Sequence, residues 1–146
     1  MSQSNIAQCV HCGRNNRVPA AASGYARCAS CKNALPWVVD AGDADFGEIA
    51  ERATVFVLVD LWAPWCGPCR MVSPALEQVA RERAGRLKLV KVNVDDAPQL
   101  SQRFDVRAVP TLLLLHRGKV IARQAGAAPA PVLREWVDGE MAKASA

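Results

Sequence analysis

Trp65-Cys66-Gly67-Pro68-Cys69 decides the fold of this chain, because it lies where a strand-like segment gives way to a helix-like one. Residues 55–62 before it are apolar on both faces, as expected of a central strand covered on both sides. The segment after it repeats apolar residues at helical spacing: Val72, Leu76, Val79 and Ala80. The sequence therefore predicts a strand, a tight turn and a helix. The two cysteines in the turn can close a disulfide and open it on another molecule.

The composition is that of an ordinary globular protein. Of the 146 residues, 51% are hydrophobic and 22% are charged. Residues 1–8 contain neither a positive leader nor an apolar run, and no stretch reaches the ~18 apolar residues of a membrane span. We therefore expect a cytoplasmic protein that does not enter membranes. In that reducing compartment, six cysteines favour metal binding or redox chemistry over three structural disulfides.

The net charge of +4 is concentrated at the N-terminus. Residues 1–36 contain no acidic residue and four basic ones: Arg14, Arg17, Arg27 and Lys32. If four thiolates in this segment hold one zinc ion, the assembly contributes about −2 and offsets half of the positive charge. This balance disfavours binding to nucleic acid.

From residue 37 onward, strand-like and helix-like patterns alternate in the order β-α-β-α-β-α-β-β-α. The predicted strands are 37–39, 55–62, 87–94, 111–115 and 120–124. The predicted helices are 43–52, capped by Asp43, a helix from the cysteine pair to about 85, 98–104 and 131–141. Pro74 is expected to bend the second helix, and Gly118-Lys119 to form a hairpin turn.

The cysteine pair at the start of a helix has a clear division of labour. The thiolate of Cys66 can accept hydrogen bonds from free backbone N–H groups at the positive end of the helix dipole, so its pKa is expected to fall. Cys66 is therefore the predicted nucleophile. Cys69, one turn further along, is expected to be more buried and to resolve the reaction. Pro68 suits the first helical turn, and Gly67 permits a tight turn with room for an incoming chain.

Together with Asp60-Leu61-Trp62-Ala63-Pro64 before it and Arg70-Met71 after it, this stretch resembles the active site of the thioredoxin family. The resemblance extends through Val109-Pro110-Thr111 and Gly126-Ala127 and covers residues 37–146. It implies an α/β thioredoxin fold over 36–146, with a central mixed sheet flanked by helices. It also implies a protein-disulfide reductase that acts on disulfide-containing proteins. The implied electron donor is an NADPH-dependent thioredoxin reductase, so flavin and NADPH belong to that partner and no organic cofactor is expected here.

The resemblance also implies roles for two charged residues. Asp60 interrupts an apolar strand, and burial should raise its pKa and make it a candidate to take the proton of Cys69. The alternative is a strand-end aspartate bonded to the backbone. Lys91 matches the family lysine beside that carboxylate, and the alternative is a solvated lysine on an edge strand.

Pro110 matches the cis proline that faces the cysteines in the thioredoxin family. With Val109, its loop is expected to offer backbone groups to an extended substrate segment. The rest of the predicted substrate groove consists of Trp65, Gly67, Pro68, Gly126 and Ala127. Packing roles are expected for Trp37, Trp62 and Trp136, and a surface position for His116.

Four further cysteines fall in the arrangement Cys9-x2-Cys12-x15-Cys28-x2-Cys31, within the spacing of a zinc ribbon. We predict that they hold one structural Zn²⁺ in a module over residues 1–35, because the segment has too few large apolar residues for a core of its own. Two disulfides are the alternative. Gly13 suits the left-handed residue after the first pair, whereas Lys32 stands at the matching place after the second pair. His11 is expected to be a bystander.

A four-cysteine module joined to a thioredoxin domain resembles the zinc-containing thioredoxin 2 group of bacteria, as does Asn16-Arg17-Val18-Pro19. Zinc thiolates of this kind could sense oxidative stress. We expect a monomer. The two alternative functions are a binding protein that uses the basic ribbon and a chaperone that is switched by metal loss. The intact cysteine pair argues against the first, and the small apolar surface of the ribbon argues against the second.

Overall fold

The computed structural model describes residues 4–22 and 24–145. Residues 1–3, 23 and 146, which fall within the predicted modules 1–35 and 36–146, lie outside the described residues. The strands are β1 Ser4–Gln8, β2 Asn15–Pro19, β3 Val38–Asp40, β4 Phe56–Trp62, β5 Leu87–Asn93, β6 Thr111–His116 and β7 Lys119–Ala125. The helices are a short π-helix Gly47–Glu51, α1 Gly67–Glu82, α2 Pro98–Arg103 and α3 Ala130–Ser145.

The main sheet has five strands in the order β3-β5-β4-β6-β7. Strands β3, β4 and β5 run parallel, whereas β6 and β7 are antiparallel to their neighbours. This mixed sheet flanked by helices is the predicted thioredoxin fold, and the elements follow one another in the predicted order. In the parallel part, the carboxyl ends of the strands meet at one edge, where the Cys66 turn leaves β4.

Both faces of the sheet are covered, which is why its central strands are almost wholly apolar. One face packs against α1 and α3 through residues such as Val72, Leu76, Leu133 and Val137. The other face packs against the π-helix, α2 and the N-terminal module. Trp136, predicted to face inward, is only half-buried. Pro74 lies inside α1, as predicted.

The predicted helix 43–52 is wrong in its extent and in its cap. Only one π-helical turn forms, and it closes when the N–H of Arg52 donates to the carbonyl of Gly47 at 3.0 Å. The Asp43 carboxylate instead accepts from the N–H groups of Gln99 and Leu100, at 3.1 and 2.9 Å. Asp43 therefore caps α2, which is distant in sequence, rather than the helix beside it.

The hairpin between β6 and β7 turns one residue earlier than predicted, at Arg117 and Gly118. Both residues have positive φ, 52° and 81°. A two-residue hairpin with this conformation has the twist that suits the flanking strands. A Cβ on Gly118 would also lie 3.1 Å from the carbonyl oxygen of Glu51, so glycine is required there on two counts.

The N-terminal module begins with a hairpin of β1 and β2. It forms no core of its own: Val18, Ala20 and Leu35 are buried in the same cluster as the thioredoxin-fold residues Trp37 and Ile49. Pairing of Arg27 with Ala34 and a 2.9 Å bond from the N–H of Leu35 to Ala26 close the module. Within residues 4–22 and 24–145, no helix has the length and apolar character needed to cross a membrane.

Candidate active site and metal centre

Cys66 and Cys69 lie at the N-terminus of α1 and form a disulfide, with their Cα atoms 5.3 Å apart. Cys66 is the N-cap residue, and its Sγ accepts a hydrogen bond from the N–H of Cys69 at 3.1 Å. Pro68 lies in the first turn, where its missing N–H leaves no bond unmade. A negative charge that develops on Cys66 Sγ would be stabilised by this N–H and by the helix dipole.

The cysteine pair is buried beside an exposed tryptophan and the predicted proline loop. Both cysteines are buried, with 4% exposure for Cys66 and 2% for Cys69, so the predicted contrast in burial is slight in the disulfide form. Trp65 next to them is 68% exposed, and its Nε1 donates to Asp95 at 3.4 Å. Cys66 Sγ lies 3.6 Å from the carbonyl oxygen of Val109. This contact brings the predicted proline loop against the predicted nucleophile.

The peptide bond between Val109 and Pro110 is cis, the geometry that the resemblance implied. The Pro110 carbonyl accepts from the N–H of Gly126 at 2.9 Å, which joins the loop to the end of β7. Gly126 has φ of 87° and, like Ala127, is exposed. Of the predicted groove residues, Trp65, Gly67 and Pro68 are next to the cysteines in the chain, Val109 contacts Cys66, Gly126 is bonded to Pro110, and Ala127 shares a cavity with Met71.

Asp60 is 1% exposed, and among the described residues neither of its carboxylate oxygens has a hydrogen-bond partner. The alternative of a strand-end aspartate bonded to the backbone is therefore not what the structure shows. Burial raises the pKa of Asp60 to about 6, the charge of Lys91 lowers that pKa, and the charge of Glu77 raises it. A buried carboxyl of this kind can exchange a proton near neutral pH.

Lys91 is directly opposite Asp60 in the pairing of β5 with β4. Because β5 lies between β3 and β4, Lys91 is not on an edge strand, and it is half-buried. Its Nζ donates to the hydroxyl of Ser73 at 2.7 Å and lies 5.9 Å from the centre of the Trp62 ring. These side chains share a cavity of about 160 Å³, which is lined by Asp60, Trp62, Cys69, Arg70, Ser73 and Lys91.

Sequence reasoning missed Ser73. Its spacing was the available signal, because a residue four positions after Cys69 on a helix lies on the same face as Cys69. A polar residue at that position points to the cavity beside the cysteine pair, between the apolar positions Val72 and Leu76.

The four N-terminal cysteines converge on one point. All four Sγ atoms lie within 4.8 Å of one another. The closest pairs, Cys9 with Cys31 and Cys12 with Cys28, are each 3.5 Å apart, which is too long for a covalent bond. Tetrahedral Zn²⁺ with bonds of about 2.3 Å would separate its sulfur ligands by about 3.8 Å. The donor set therefore fits zinc and does not fit two disulfides.

The two cysteine turns have the same backbone geometry despite their different sequences. The N–H of Gly13 donates to the Cys9 carbonyl and that of Lys32 to the Cys28 carbonyl, each at 3.0 Å. Both residues have left-handed φ, 78° for Gly13 and 68° for Lys32. The departure at Lys32 therefore does not alter the turn.

Polar groups around the cluster donate hydrogen bonds to its sulfur atoms. Backbone N–H groups of His11 and Ser30 donate to Cys9 and Cys28, each at 3.4 Å. Asn16, which sequence reasoning assigned no ligand-supporting role, is 7% exposed; its amide lies 3.6 Å from Cys28 Sγ and its oxygen accepts from Ala29 at 2.9 Å. The exposed His11 side chain takes no part in these bonds.

Lys88 is a further residue that sequence reasoning missed. Its side chain is fully buried, and its Nζ donates to the carbonyls of Ala20 and, at 2.7 Å, Ile49. The same Nζ lies 4.0 Å from the centre of the Trp37 ring, and burial lowers the pKa of Lys88 to about 8. The signal was the alternation in β5, which places residue 88 on the same buried face as Val90.

The remaining aromatic residues have packing roles. Trp37 is buried, and its Nε1 donates to the Pro19 carbonyl at 3.2 Å. Trp62 is half-buried and lines the cavity beside Asp60 and Cys69, which we call the redox cavity. His116, expected at the surface, is half-buried and stacks on Phe56 with ring centres 4.2 Å apart.

Comparison with known proteins matches residues 37–139 to the thioredoxin family. A thioredoxin of Haemophilus influenzae is 45% identical over 101 residues, which cover 69% of this chain and 94% of the relative. Thioredoxin C-3 of Corynebacterium nephridii is 34% identical over 139 residues, 93% of this chain and 95% of the relative. Thioredoxin 1 of a Nostoc species is 40% identical over 96 residues, 66% of this chain and 90% of the relative.

Proposed function

Because the chain belongs to the thioredoxin family, we propose that it reduces disulfide bonds in other proteins through Cys66 and Cys69. It is an oxidoreductase of the thiol–disulfide exchange type. The observation that supports this proposal most strongly is the position of Cys66 Sγ. This atom caps α1, accepts the N–H of Cys69 and faces the cis-proline loop at Val109.

The reaction starts from the dithiol. The Cys66 thiolate attacks one sulfur of the substrate disulfide, that S–S bond breaks, and the other substrate sulfur leaves as a thiolate. A mixed disulfide then joins Cys66 to the substrate. The helix N-terminus lowers the free energy of the attacking thiolate, because its charge lies against unpaired N–H groups.

Cys69 completes the transfer. Its thiol gives a proton to the Asp60 carboxylate, and the resulting thiolate attacks Cys66 Sγ. The bond from Cys66 to the substrate breaks, the substrate leaves fully reduced after taking up protons, and the Cys66–Cys69 disulfide closes. Two electrons have passed from the dithiol to the substrate. Lys91 tunes the affinity of Asp60 for the proton through its charge.

The substrate segment would lie across the exposed groove in an extended conformation. The backbone of Val109, which the cis Pro110 follows, lies beside Cys66, where it could pair with the segment in the manner of an added strand. Trp65, Gly67, Pro68, Gly126 and Ala127 would line the segment on either side. Resetting the disulfide requires an external reductant, for which we propose an NADPH-dependent thioredoxin reductase that carries the flavin. We also propose a cytoplasmic location, where reducing conditions would keep the four N-terminal cysteines from forming disulfides.

We further propose that residues 1–35 form a zinc ribbon on a thioredoxin domain of residues 36–146, as in the zinc-containing thioredoxin 2 group. Cys9, Cys12, Cys28 and Cys31 would hold one Zn²⁺ through their sulfur atoms. Bound zinc supplies a structural crosslink, because four protein ligands leave no open position for catalysis. The hydrogen bonds from backbone N–H groups and from Asn16 support this role.

The experiment that tests the reductase is insulin-disulfide reduction with the NADPH-reductase system. The wild type is expected to be active and Cys66→Ser inactive, whereas Cys69→Ser is expected to accumulate mixed disulfide. Cys12→Ser, which removes a cysteine of the other group, tests whether that group affects the activity. Activity that survives Cys66→Ser would refute the assignment.

The same variants test the zinc proposal when zinc content is measured in place of activity. Metal analysis is expected to find one zinc per chain in the wild type and in Cys66→Ser, and a loss of zinc in Cys12→Ser. Oxidant sensing by the ribbon is a further hypothesis. It requires that peroxide eject the zinc and that the ejection change reductase activity or partner choice. It fails if zinc stays bound or if its loss changes neither.

A further inference from the structure

We propose that Ser73 is a positioning residue for the resolving step, and that its hydroxyl anchors the Lys91 ammonium and keeps it from pairing directly with the Asp60 carboxylate. The hydroxyl accepts from Lys91 Nζ at 2.7 Å. Asp60 faces the same cavity with both oxygens unpartnered among the described residues. This inference rests on the proposed reductase function and assigns a device within it.

The register of the strands and the position of α1 bring these three side chains together. Asp60 and Lys91 face each other across β4 and β5 in register, so the ammonium and carboxylate share one face of the sheet. Helix α1 covers that face, and Ser73 lies one turn beyond Cys69 on the side toward the cavity. The hydroxyl is therefore the group of α1 that holds the lysine head.

The charges around Asp60 show why the anchor matters. Lys91 on β5 favours the carboxylate, Glu77 on α1 disfavours it, and Asp40 on β3 is opposite Lys91 in register. Arg70 also lines the cavity, but its guanidinium donates to a backbone carbonyl of the preceding turn. Burial has the largest effect on the proton affinity of Asp60, and among the neighbouring charges the Lys91 ammonium has the largest.

A carboxylate in direct contact with an ammonium is a weak base. Opposite charges within ~4–6 Å lower a carboxyl pKa by about 1–3. Asp60, held out of direct contact, keeps a pKa of about 6, raised chiefly by burial. In that state it can accept the Cys69 proton as Cys69 Sγ attacks Cys66 and the bond from Cys66 to the substrate sulfur breaks. A direct ion pair would remove this match to neutral pH.

Removing the hydroxyl is therefore expected to change the pKa of Asp60 in a defined direction. In Ser73→Ala the ammonium loses its side-chain acceptor, and the unpaired acceptors in the cavity are the Asp60 oxygens. We expect the ammonium to move onto the carboxylate and the Asp60 pKa to fall by about one unit. Insulin reduction near pH 7 is then expected to slow about threefold, because the proton acceptor is weaker. Ser73→Thr keeps a hydroxyl and should restore the wild-type behaviour.

The test follows the Asp60 carboxyl carbon by NMR during pH titration of the reduced full-length protein, together with the pH profile of insulin reduction. Ser101→Ala is the matched control, because Ser101 is also a half-buried helical serine and bonds to backbone carbonyls of its own segment. It should leave both profiles at the wild-type positions.

A double variant separates this inference from a general effect on packing. In an Asp60→Asn background, Ser73→Ala should cause no further loss of rate. An Asp60 midpoint that stays put or rises in Ser73→Ala would overturn the inference, as would an equal loss of rate with or without Asp60. Failure of the proposed reductase function would give a different result: wild type and Cys66→Ser would be equally inactive or equally active.

Discussion

Asp60→Asn is expected to stabilise the fold above pH 6 and to have little effect below pH 4. Asparagine is nearly isosteric with a protonated aspartic acid but carries no charge at any pH. Burial raises the Asp60 pKa from 3.8 to about 6, so the folded protein keeps a proton between pH 4 and 6 that the unfolded chain has released. The stability of the wild type must therefore fall as the pH rises through this window.

The magnitude follows from the same two pKa values. A difference between 3.8 and about 6 corresponds to roughly 3 kcal/mol of destabilisation at neutral pH. The Asn variant lacks this destabilisation. Its free energy of unfolding should exceed that of the wild type by about 3 kcal/mol at pH 7.5 and match it near pH 3.5. For a chain of this length, the gain corresponds to roughly 6–12 °C in melting temperature.

The assay is guanidinium unfolding of the oxidised proteins at a series of pH values, followed by tryptophan fluorescence. Equal m-values would show that the same surface unfolds in both proteins. Glu135→Gln, which neutralises an exposed carboxylate on α3, is the control and should shift stability little at any pH. A stability difference independent of pH, or an Asn variant that is less stable at pH 7.5, would refute the reasoning.

Three further predictions concern the scaffold and the ribbon. Gly118→Ala should lower the free energy of unfolding by about 1–2 kcal/mol, because φ is +81° and the new Cβ would meet the Glu51 carbonyl. Gly139→Ala, in α3, should raise the free energy of unfolding by about 0.5–1 kcal/mol. Thermal unfolding that ranks the two variants otherwise would contradict this. Relative to Lys88→Met, the wild type should gain stability as the pH rises from about 8 to 10.5, because in this range the lysine keeps its proton in the unfolded chain and has released it in the folded protein. Urea unfolding measures this, and a stability difference between the two proteins that does not change with pH would contradict the prediction. Asn16→Leu should weaken zinc binding about 10–100-fold in chelator competition, and unchanged affinity would count against its support of Cys28.

The main sheet was predictable because its signals are local and strong. Strand β4 is apolar on both faces, and the cysteine turn supplies its own helix cap, so both are visible in a short window of sequence. The Asp43 cap was not predictable in the same way. A cap residue forms the same bonds with any nearby helix N-terminus, and only the tertiary structure brings Asp43 to α2.

The functional site shows the same contrast between features with a local sequence signal and features set by the tertiary structure. The spacing of the cysteines indicated which of them act together, but it could not indicate what contacts Lys91 or Lys88. Each lysine bonds to a partner 18 to 68 residues away in sequence. No sequence pattern marks which hydroxyl or carbonyl group will accept such a bond. For the same reason, the sequence could not show that the ribbon completes the core of the thioredoxin domain.

The position of the ribbon constrains how the metal site can influence the redox pair. Three hydrogen bonds from the described part of the ribbon reach the domain where the parallel strands begin: at Trp37 before β3, at Thr54 before β4 and at Lys88 at the start of β5. Cys66 follows the carboxyl end of β4, at the other edge of the sheet. An influence of the ribbon on Cys66 would therefore pass through the elements of the domain that the ribbon contacts, which are the strands and helix α1, whose Glu77 and Arg81 share a cavity with Ile6.

Strand β5 is the element suited to carry that influence. It places Lys88 against the ribbon on one face and Lys91 in the redox cavity on the other, three residues apart. If the ribbon loosened, Lys88 would gain solvent, and the burial that holds the start of β5 in place would be lost. A displacement of β5 would move Lys91 relative to Asp60 and Ser73. Metal loss should then appear in the proton affinity of Asp60 before it appears in any contact of Cys66.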